Sequence, residues 1–136
     1  MYGFNNGRLK RKRFIKIAPQ KLASGKKVAS ALSGVPVGTA IPYPAGLVVI
    51  SSRGHDQLLV ANDLSDNVAL LDTTDGKIRQ QFDLSTHETV PSSFPYTVVA
   101  TRDGRHAWCS LWNASQVAEL DLVSGGVTRW ISLLES

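Results

Sequence analysis

The adjacent pair His87-Glu88 comes closer than any other stretch of the sequence to a reactive or metal-binding centre. An imidazole beside a carboxylate can shuttle protons or ligate a metal ion. Zinc and calcium sites need about four and about six ligands, which two residues do not supply. We therefore predict no metal, no cofactor and no catalytic residue. His87 and Glu88 are candidate residues for binding a ligand in a loop. The alternative is a plain polar loop without a ligand, and the small number of possible metal-coordinating residues favours it.

Trp112 and Asn113 form a second candidate pair at the end of a predicted strand. The Trp112 ring can offer a stacking surface to a ligand, or it can pack over the end of the sheet, which is the more usual role of an aromatic ring. The triplet Asn113-Ala114-Ser115 fits a glycosylation acceptor. Asn and Ser are also favoured in turns for backbone reasons, so we interpret the triplet as a turn. Trp112 and Asn113 both stay candidates for ligand binding.

The remaining reactive residue types do not form a recognisable centre. Cys109 is the only cysteine, which excludes an intramolecular disulfide, and its place inside a predicted strand indicates a packed thiol. No serine lies in a Gly-x-Ser-x-Gly elbow, and no phosphate loop or dinucleotide fingerprint is present. His55 and His106 lie in or beside turns and are expected to be exposed. The sequence therefore favours a non-catalytic protein.

The charge of the chain is distributed unevenly. The net charge is +4, but nine cations and no acid precede Val28, whereas the rest of the chain holds six cations and eleven acids. The basic run Leu9 to Arg13 fits a nucleic-acid tail or a charged strand edge. No aromatic stacking platform accompanies it, so we predict a strand edge and no nucleic-acid partner.

Two membrane-related segments are excluded by the apolar pattern. The sequence has no run of about 18 apolar residues, so we predict no membrane span. A signal peptide needs an apolar core of about 7–15 residues after its basic start. Lys16, Pro19 and Lys21 interrupt the only stretch in that position, and we predict no signal peptide.

The stretch Leu58 to Ile78 predicts the elements around which the chain is organised. It reads strand, turn, strand, turn, strand, with apolar and β-branched residues in the strands. Asp75-Gly76 is a hairpin signal, because Gly tolerates a positive φ. Val68 and Leu70 point to one side of the middle strand and Ala69 and Leu71 to the other, which favours a strand covered on both faces.

The same unit recurs 49 residues later, so that Asp121 corresponds to Asp72. A spacing of this size lies in the range of propeller-blade repeats. A proline-led strand precedes each copy, at Pro44–Ile50 and at Pro95–Ala100, and a last strand follows at Lys77–Leu84 and at Val127–Leu133.

Four antiparallel strands per repeat are the blade pattern of a β-propeller. We predict an all-β fold, a partial β-propeller with two complete four-stranded antiparallel blades and an incomplete N-terminal blade. Residues 1–33 would form the incomplete blade with its basic segment, 34–92 a blade with a leading connector, and 93–136 the last blade.

The motifs Leu59-Val60-Ala61-Asn62 and Val68 to Lys77 resemble the YVTN-type propeller repeat, with Leu59 in place of the usual Tyr. The paired proline-led phrases are also similar to propellers of large bacterial secreted proteins, some of which carry a phosphoesterase-like domain. This resemblance implies an extracytoplasmic location, periplasmic or secreted. It also leaves a lactonase-like or phosphoesterase-linked hydrolase as the alternative to a binding module.

The function predicted from these observations is a propeller segment that serves as a scaffold or binding module for a ligand that the sequence does not identify. Two blades do not close a ring, since propellers have about four to eight. We therefore expect the partners to be further blades or other copies of the chain. The outer faces that would need covering are expected to carry Val68, Leu70, Val117 and Leu120, or the residues on the opposite faces of the same strands.

Overall fold

The computed structural model describes residues 2–5, 8–11, 14–29, 34–52 and 54–134, and within these ranges the chain is all-β. No helix among the described residues is long and apolar enough to cross a membrane. Five short strands come first: β1 (Tyr2–Asn5), β2 (Arg8–Arg11), β3 (Gln20–Lys21), β4 (Lys27–Val28) and β5 (Thr39–Ala40). β1 pairs with β2 and β3 with β5, both antiparallel. The side chains of the basic run before Phe14 lie outside the described residues.

Two four-stranded antiparallel sheets follow, and they repeat one another. Blade 1 consists of β6 (Pro44–Ser52), β7 (His55–Asn62), β8 (Asn67–Asp72) and β9 (Ile78–Asp83) in sequential order. The short strand β10 (Thr89–Val90) belongs to the connector. Blade 2 consists of β11 (Pro95–Ala100), β12 (His106–Leu111), β13 (Gln116–Asp121) and β14 (Gly126–Ser132), also in sequential order. The predicted pair of complete blades is confirmed.

Backbone hydrogen bonds repeat between the blades at the predicted spacing. Gly76 N donates to Asp72 O at 2.8 Å, and Gly125 N donates to Asp121 O at 2.9 Å. Both glycines take the positive φ that such a turn requires, +73° and +85°. The repeated sequence therefore encodes the same turn twice, because a Gly stands at the left-handed position of each copy.

The main core lies between the two blades. We call the side of each sheet that looks along the chain direction, toward the next blade, its forward face, and the opposite side its backward face. The forward face of blade 1 presents Leu59, Val68 and Leu70 to the backward face of blade 2, which presents Cys109 and Leu120. All five side chains are buried. The close approach extends to the first strands, where a Cβ on Gly46 would collide with the carbonyl of Tyr96.

The N-terminal segment covers most of the backward face of blade 1. Val60, Ala69 and Leu71 are buried there, with Ile15 and Ile17 packed against them. The prediction that β8 is covered on both faces is therefore confirmed, and the reason is that different partners cover the two sides.

The outer faces carry Val117 and, in place of the other three residues named, the residues on the opposite sides of their strands, which was the second of the two expectations. Val68, Leu70 and Leu120 lie in the core between the blades. Val117 alone points to the uncovered side, on the face of blade 2 opposite Leu120. The alternating pattern shows that a strand has two apolar faces, but it does not indicate which neighbour covers which face.

Candidate functional site

The connector between the blades is fixed by one buried carboxylate. Asp66 lies in the turn between β7 and β8, is fully buried and has a φ of +52°. Its Oδ2 accepts hydrogen bonds from the backbone N–H and the hydroxyl of Ser92, both at 2.6 Å. Its Oδ1 accepts from the backbone N–H groups of Ser93 at 3.1 Å and Phe94 at 3.2 Å. Because bonds to a charged acceptor are the stronger kind, Asp66 orders residues 92–94.

Further contacts hold the same connector from two sides. The side-chain amide of Asn113 donates to Ser92 O at 3.1 Å, so the β12–β13 turn is attached to it. On the other side β10 pairs in parallel with β4, and the Lys26 ammonium donates to His87 O at 3.1 Å. The hydroxyl of Ser92 also accepts a bond from Thr86 N at 3.0 Å. The connector is thus tied to the N-terminal segment and to both blades.

Three of the four predicted binding residues meet around this connector. His87, Glu88 and Asn113 line a shallow pocket of about 530 Å³, together with Thr89, Pro91 and Ser92. His87 Nδ1 lies 3.1 Å from the Thr86 hydroxyl. Within the described residues, His87 Nε2 and the Glu88 carboxylate have no hydrogen-bond partner, and both side chains are exposed. The pocket therefore has a fixed backbone and polar groups available to a ligand.

The sequence favoured a Trp112 ring that packs over the end of the blade, and the structure does not place the ring there. Its side chain is 75% exposed, and its ring meets the Phe94 ring edge-on, with centroids 6.4 Å apart and planes at 82°. The backbone N–H of Trp112 donates to Phe94 O at 3.0 Å. The aromatic pair therefore borders the connector with a large part of the indole accessible, as a stacking surface would require.

Two other predictions about reactive side chains have different outcomes. Cys109 is buried as predicted, and its burial raises the pKa of the thiol to about 12, so the thiol stays protonated at neutral pH. His106 is not exposed as predicted. It lies at the start of β12, it is partly buried, and its Nδ1 is buried without a hydrogen-bond partner among the described residues.

The acids near the turns differ in their electrostatic setting. Burial is the larger of two causes that raise the pKa of Asp63, and the nearby charge of Asp66 is the other. In contrast, the backbone N–H of Thr74 lowers the pKa of Asp72, and the backbone N–H of Ser124 lowers that of Asp121. At the Asp63 end of blade 1, beside the connector, burial and a neighbouring acid therefore favour the protonated form, whereas the backbone N–H groups of the two turns favour the ionised forms of Asp72 and Asp121.

A buried amide network was missed by sequence reasoning. Gln20 Oε1 accepts hydrogen bonds from Asn67 at 3.0 Å and Gln81 at 2.8 Å, and Asn67 Oδ1 accepts from Ser65 at 2.6 Å and Asn62 at 3.2 Å. The network joins the N-terminal segment to blade 1. Asn62, Ser65 and Asn67 look like turn formers in the sequence, whereas Gln20 and Gln81 lie in strands. The available signal was the position of Asn62 and Asn67 at strand ends.

Within the described ranges, no group of three or more His, Cys, Asp or Glu side chains is placed to hold a metal ion. Among these residues, no further acid, histidine or thiol therefore lies close enough to His87 and Glu88 to complete a metal site.

Comparison with solved structures finds β-propeller blades. One match is a virginiamycin B lyase from Staphylococcus aureus, with a TM-score of 0.54 and 18% identity over 69% of this chain and 28% of that chain. Another is a streptogramin B lyase, with a TM-score of 0.51 and 19% identity over 71% of this chain and 30% of that chain. No protein-family model and no curated protein matches the sequence.

These similarities establish the fold alone. The sheets of this chain are similar to propeller blades of the two lyases, and the chain spans less than a third of the length of either solved chain. The β-propeller-like architecture is therefore confirmed, and the YVTN-type repeat stays a prediction.

Proposed function

We propose that the chain is a non-catalytic propeller segment that acts as a binding module, with a small polar ligand held at the connector pocket. The observation that carries the proposal is the contrast between a fixed backbone and available side-chain groups. Asp66 and Asn113 hold the connector at Ser92, whereas His87 and Glu88 reach solvent with groups that have no described partner. Loops on a rigid scaffold are the usual place for binding residues.

The chemistry of the pocket indicates which ligands to try first. Asn113 and His87 can exchange hydrogen bonds with hydroxyl or amide groups, and Glu88 accepts hydrogen bonds or pairs with a cation. Trp112 offers an aromatic face beside them. A small hydroxylated or amide-containing molecule with one apolar side matches this set.

A larger propeller is the setting in which we place this module. Leu47 and Val49 on β6 are 62% and 52% exposed on the backward face of blade 1. In blade 2 the residue equivalent to Leu47 is Val98, which is 6% exposed because blade 1 covers it. By analogy, a further blade would cover Leu47 and Val49.

A panel of small polar compounds, followed by NMR of the labelled chain, tests the proposal. The panel includes sugars, amino acid amides, and virginiamycin B, after which one structural neighbour is named. We expect shifts at residues 86–94 and 112–113 with at least one compound, and weaker binding in His87→Ala and Asn113→Ala. His55→Ala is the matched control, since His55 lies at the opposite end of β7.

The same samples separate binding from catalysis. A compound that binds and is recovered unchanged supports the module. A compound that is converted, with conversion lost in His87→Ala, would replace the module with an enzyme of hydrolase or lyase type. Chemical-shift changes confined to residues outside the connector would contradict the proposed binding site.

A further inference from the structure

A second cavity lies between the N-terminal segment and blade 1, and it has a volume of about 480 Å³. One wall is formed by residues 21–24, and the other by the turn before β8, the start of β8 and the outer strand β9. Its polar lining consists of Lys21, Ser24, Ser65, Asn67, Gln81 and Asp83. We call it the network cavity, because Asn67 and Gln81 belong to the buried amide network.

Both walls of the network cavity come from this chain. A further blade on the backward face of blade 1 would cover β6, where Leu47 and Val49 are exposed. The cavity lies instead against β8 and β9, and residues 21–24 form its opposite wall. Its lining is therefore defined by described residues, whatever the number of blades in the propeller.

One turn separates the network cavity from the connector pocket. The Asp66 side chain binds Ser92 in the connector. Ser65 and Asn67, on either side of Asp66 in the chain, line the network cavity instead. The two sites therefore use different side chains, and binding at one can be measured apart from binding at the other.

A single backbone carbonyl determines the orientation of the amides around the cavity. Ala18 O can only accept a hydrogen bond, and Gln20 Nε2 donates to it at 2.8 Å. Gln20 Oε1 must therefore be the acceptor for Asn67 and Gln81, at 3.0 and 2.8 Å. Both of these residues turn their NH₂ groups toward Gln20. Asn67 Oδ1 is then left to accept from the Ser65 hydroxyl at 2.6 Å.

This orientation leaves hydrogen-bonding groups available in the cavity wall. Gln81 Oε1 has no hydrogen-bond partner among the described residues, and neither has the second N–H of the Asn67 and Gln81 amides. Asn67 is only 4% exposed, so its amide is held in place. Groups that are already ordered can bind a small molecule without the entropic cost of fixing them first.

We propose that the network cavity binds a neutral polyhydroxylated molecule, such as a sugar or an inositol. Asn67 and Gln81 present donors and an acceptor on one wall, and a hydroxyl group both donates and accepts. Lys21 and Asp83 are exposed and opposite in charge, so together they favour neither an anion nor a cation. The volume lies within the range of about 300–1,000 Å³ of small-molecule sites. The proposal does not rest on what the connector pocket binds.

NMR titration of the isotope-labelled chain with D-glucose, D-galactose and myo-inositol tests the site. We expect at least one compound to shift the side-chain amide signals of Asn67 and Gln81, with a Kd of about 1 mM or tighter. Gln81→Leu should weaken binding about tenfold or more, because it removes a donor and an acceptor. Gln80→Leu is the matched control, since this neighbour on β9 points to the opposite face, and it should bind as wild type does.

Several results would overturn the proposal. One is the absence of any change in the side-chain amide signals of Asn67 and Gln81 with all three compounds at about 50 mM. Equal weakening by Gln80→Leu and Gln81→Leu would be another. Tighter binding of glycine or glutamine than of the three polyols would contradict the ligand class. Changes confined to residues 86–94 and 112–113 would assign the polyol to the connector pocket instead. If Gln81→Leu fails to fold, the wild-type titration still decides, because the amide signals report occupancy directly.

Discussion

The forward faces of the two blades share a backbone and differ in their side chains. Strand order and the turn hydrogen bonds repeat between the blades. Leu70 is 6% exposed in the core between the blades, whereas its counterpart Glu119 pairs with Arg129 on a face that neither buried cluster of the described residues includes. The repeat therefore specifies the sheet, and the neighbour of each sheet determines which side chains its faces carry.

The turns that begin the β8 and β13 strands show a similar division. Asp66 and Ser115 occupy equivalent positions and both have a positive φ, +52° and +51°. Leu84 N donates to Asp66 O, and Leu133 N donates to Ser115 O, so the backbone role is the same. Only Asp66 has a carboxylate to accept the four hydrogen bonds of the following connector. The connector site therefore depends on a residue that is not repeated.

The largest expected effect comes from placing a charge in the covered face. Leu70→Asp should lower the free energy of unfolding by about 4 kcal/mol, because an unpaired carboxylate would be buried between the blades. Glu119→Leu, the reciprocal change, should alter it by less than about 1 kcal/mol. Urea denaturation of both variants measures this. Comparable losses in the two would mean that the faces are covered to the same degree.

The next effect concerns the turn acid. Asp66→Ala should cost about 3 kcal/mol, because it leaves buried N–H groups of the connector without an acceptor. Ser115→Ala should cost less than about 0.5 kcal/mol, as expected for a position without such contacts. Thermal unfolding with amide hydrogen exchange at residues 92–94 provides the measurement. Unchanged exchange at those amides in Asp66→Ala would show that the carboxylate does not order the connector.

A smaller difference is expected between the two turn glycines. Gly76→Val and Gly125→Val should each cost about 1–3 kcal/mol, since both glycines have a positive φ. The loss should be greater at Gly76, where a Cβ would lie 3.3 Å from Ile15, than at Gly125, where the neighbour is the movable end of Gln80. The urea midpoints of the variants decide the order, and a greater loss at Gly125 would contradict it.

The smallest effect is a pH dependence that both blades share. Backbone N–H groups lower the pKa of Asp72 and of Asp121 below the usual 3.8. Each carboxylate therefore contributes stability that is present above pH 3.8 and is lost as the pH falls through the lowered folded-state pKa. Asp72→Asn and Asp121→Asn should each flatten the acid limb of the stability curve. A curve unchanged in both variants would contradict the turn interpretation.

The sequence predicted the repeated framework well because its signals are local. The spacing from Asp72 to Asp121 and the turn glycines define strands whose observed bounds, such as Ile78–Asp83 against the predicted Lys77–Leu84, differ by one residue at each end. The polar residues from Asn62 to Asn67, which separate the first two strands of the Leu58 to Ile78 stretch, indicate a turn for the same reason.

Features that depend on distant neighbours were not predictable. Asp66 looks like any turn aspartate, and its role follows from the position of Ser92, 26 residues later. His87 and Asn113 were chosen as candidates by residue type. Their common pocket follows from the hydrogen bond between Asn113 and Ser92, which no local pattern encodes. Whether they bind a ligand stays a prediction.

Thiol labelling at one pair of equivalent valines tests the central difference most directly. Val68 is fully buried on the forward face of blade 1, and Val117, which is only partly buried, takes the same position on the forward face of blade 2. Cys109 gives little background, since it is buried and its pKa is raised to about 12. At a protein concentration low enough to keep the chain monomeric, the thiol of Val117→Cys should react at least about a hundredfold faster than that of Val68→Cys. The thiol at position 68 is reached by the reagent only when the structure opens locally or unfolds. Equal protection of the two thiols at that concentration would contradict the account.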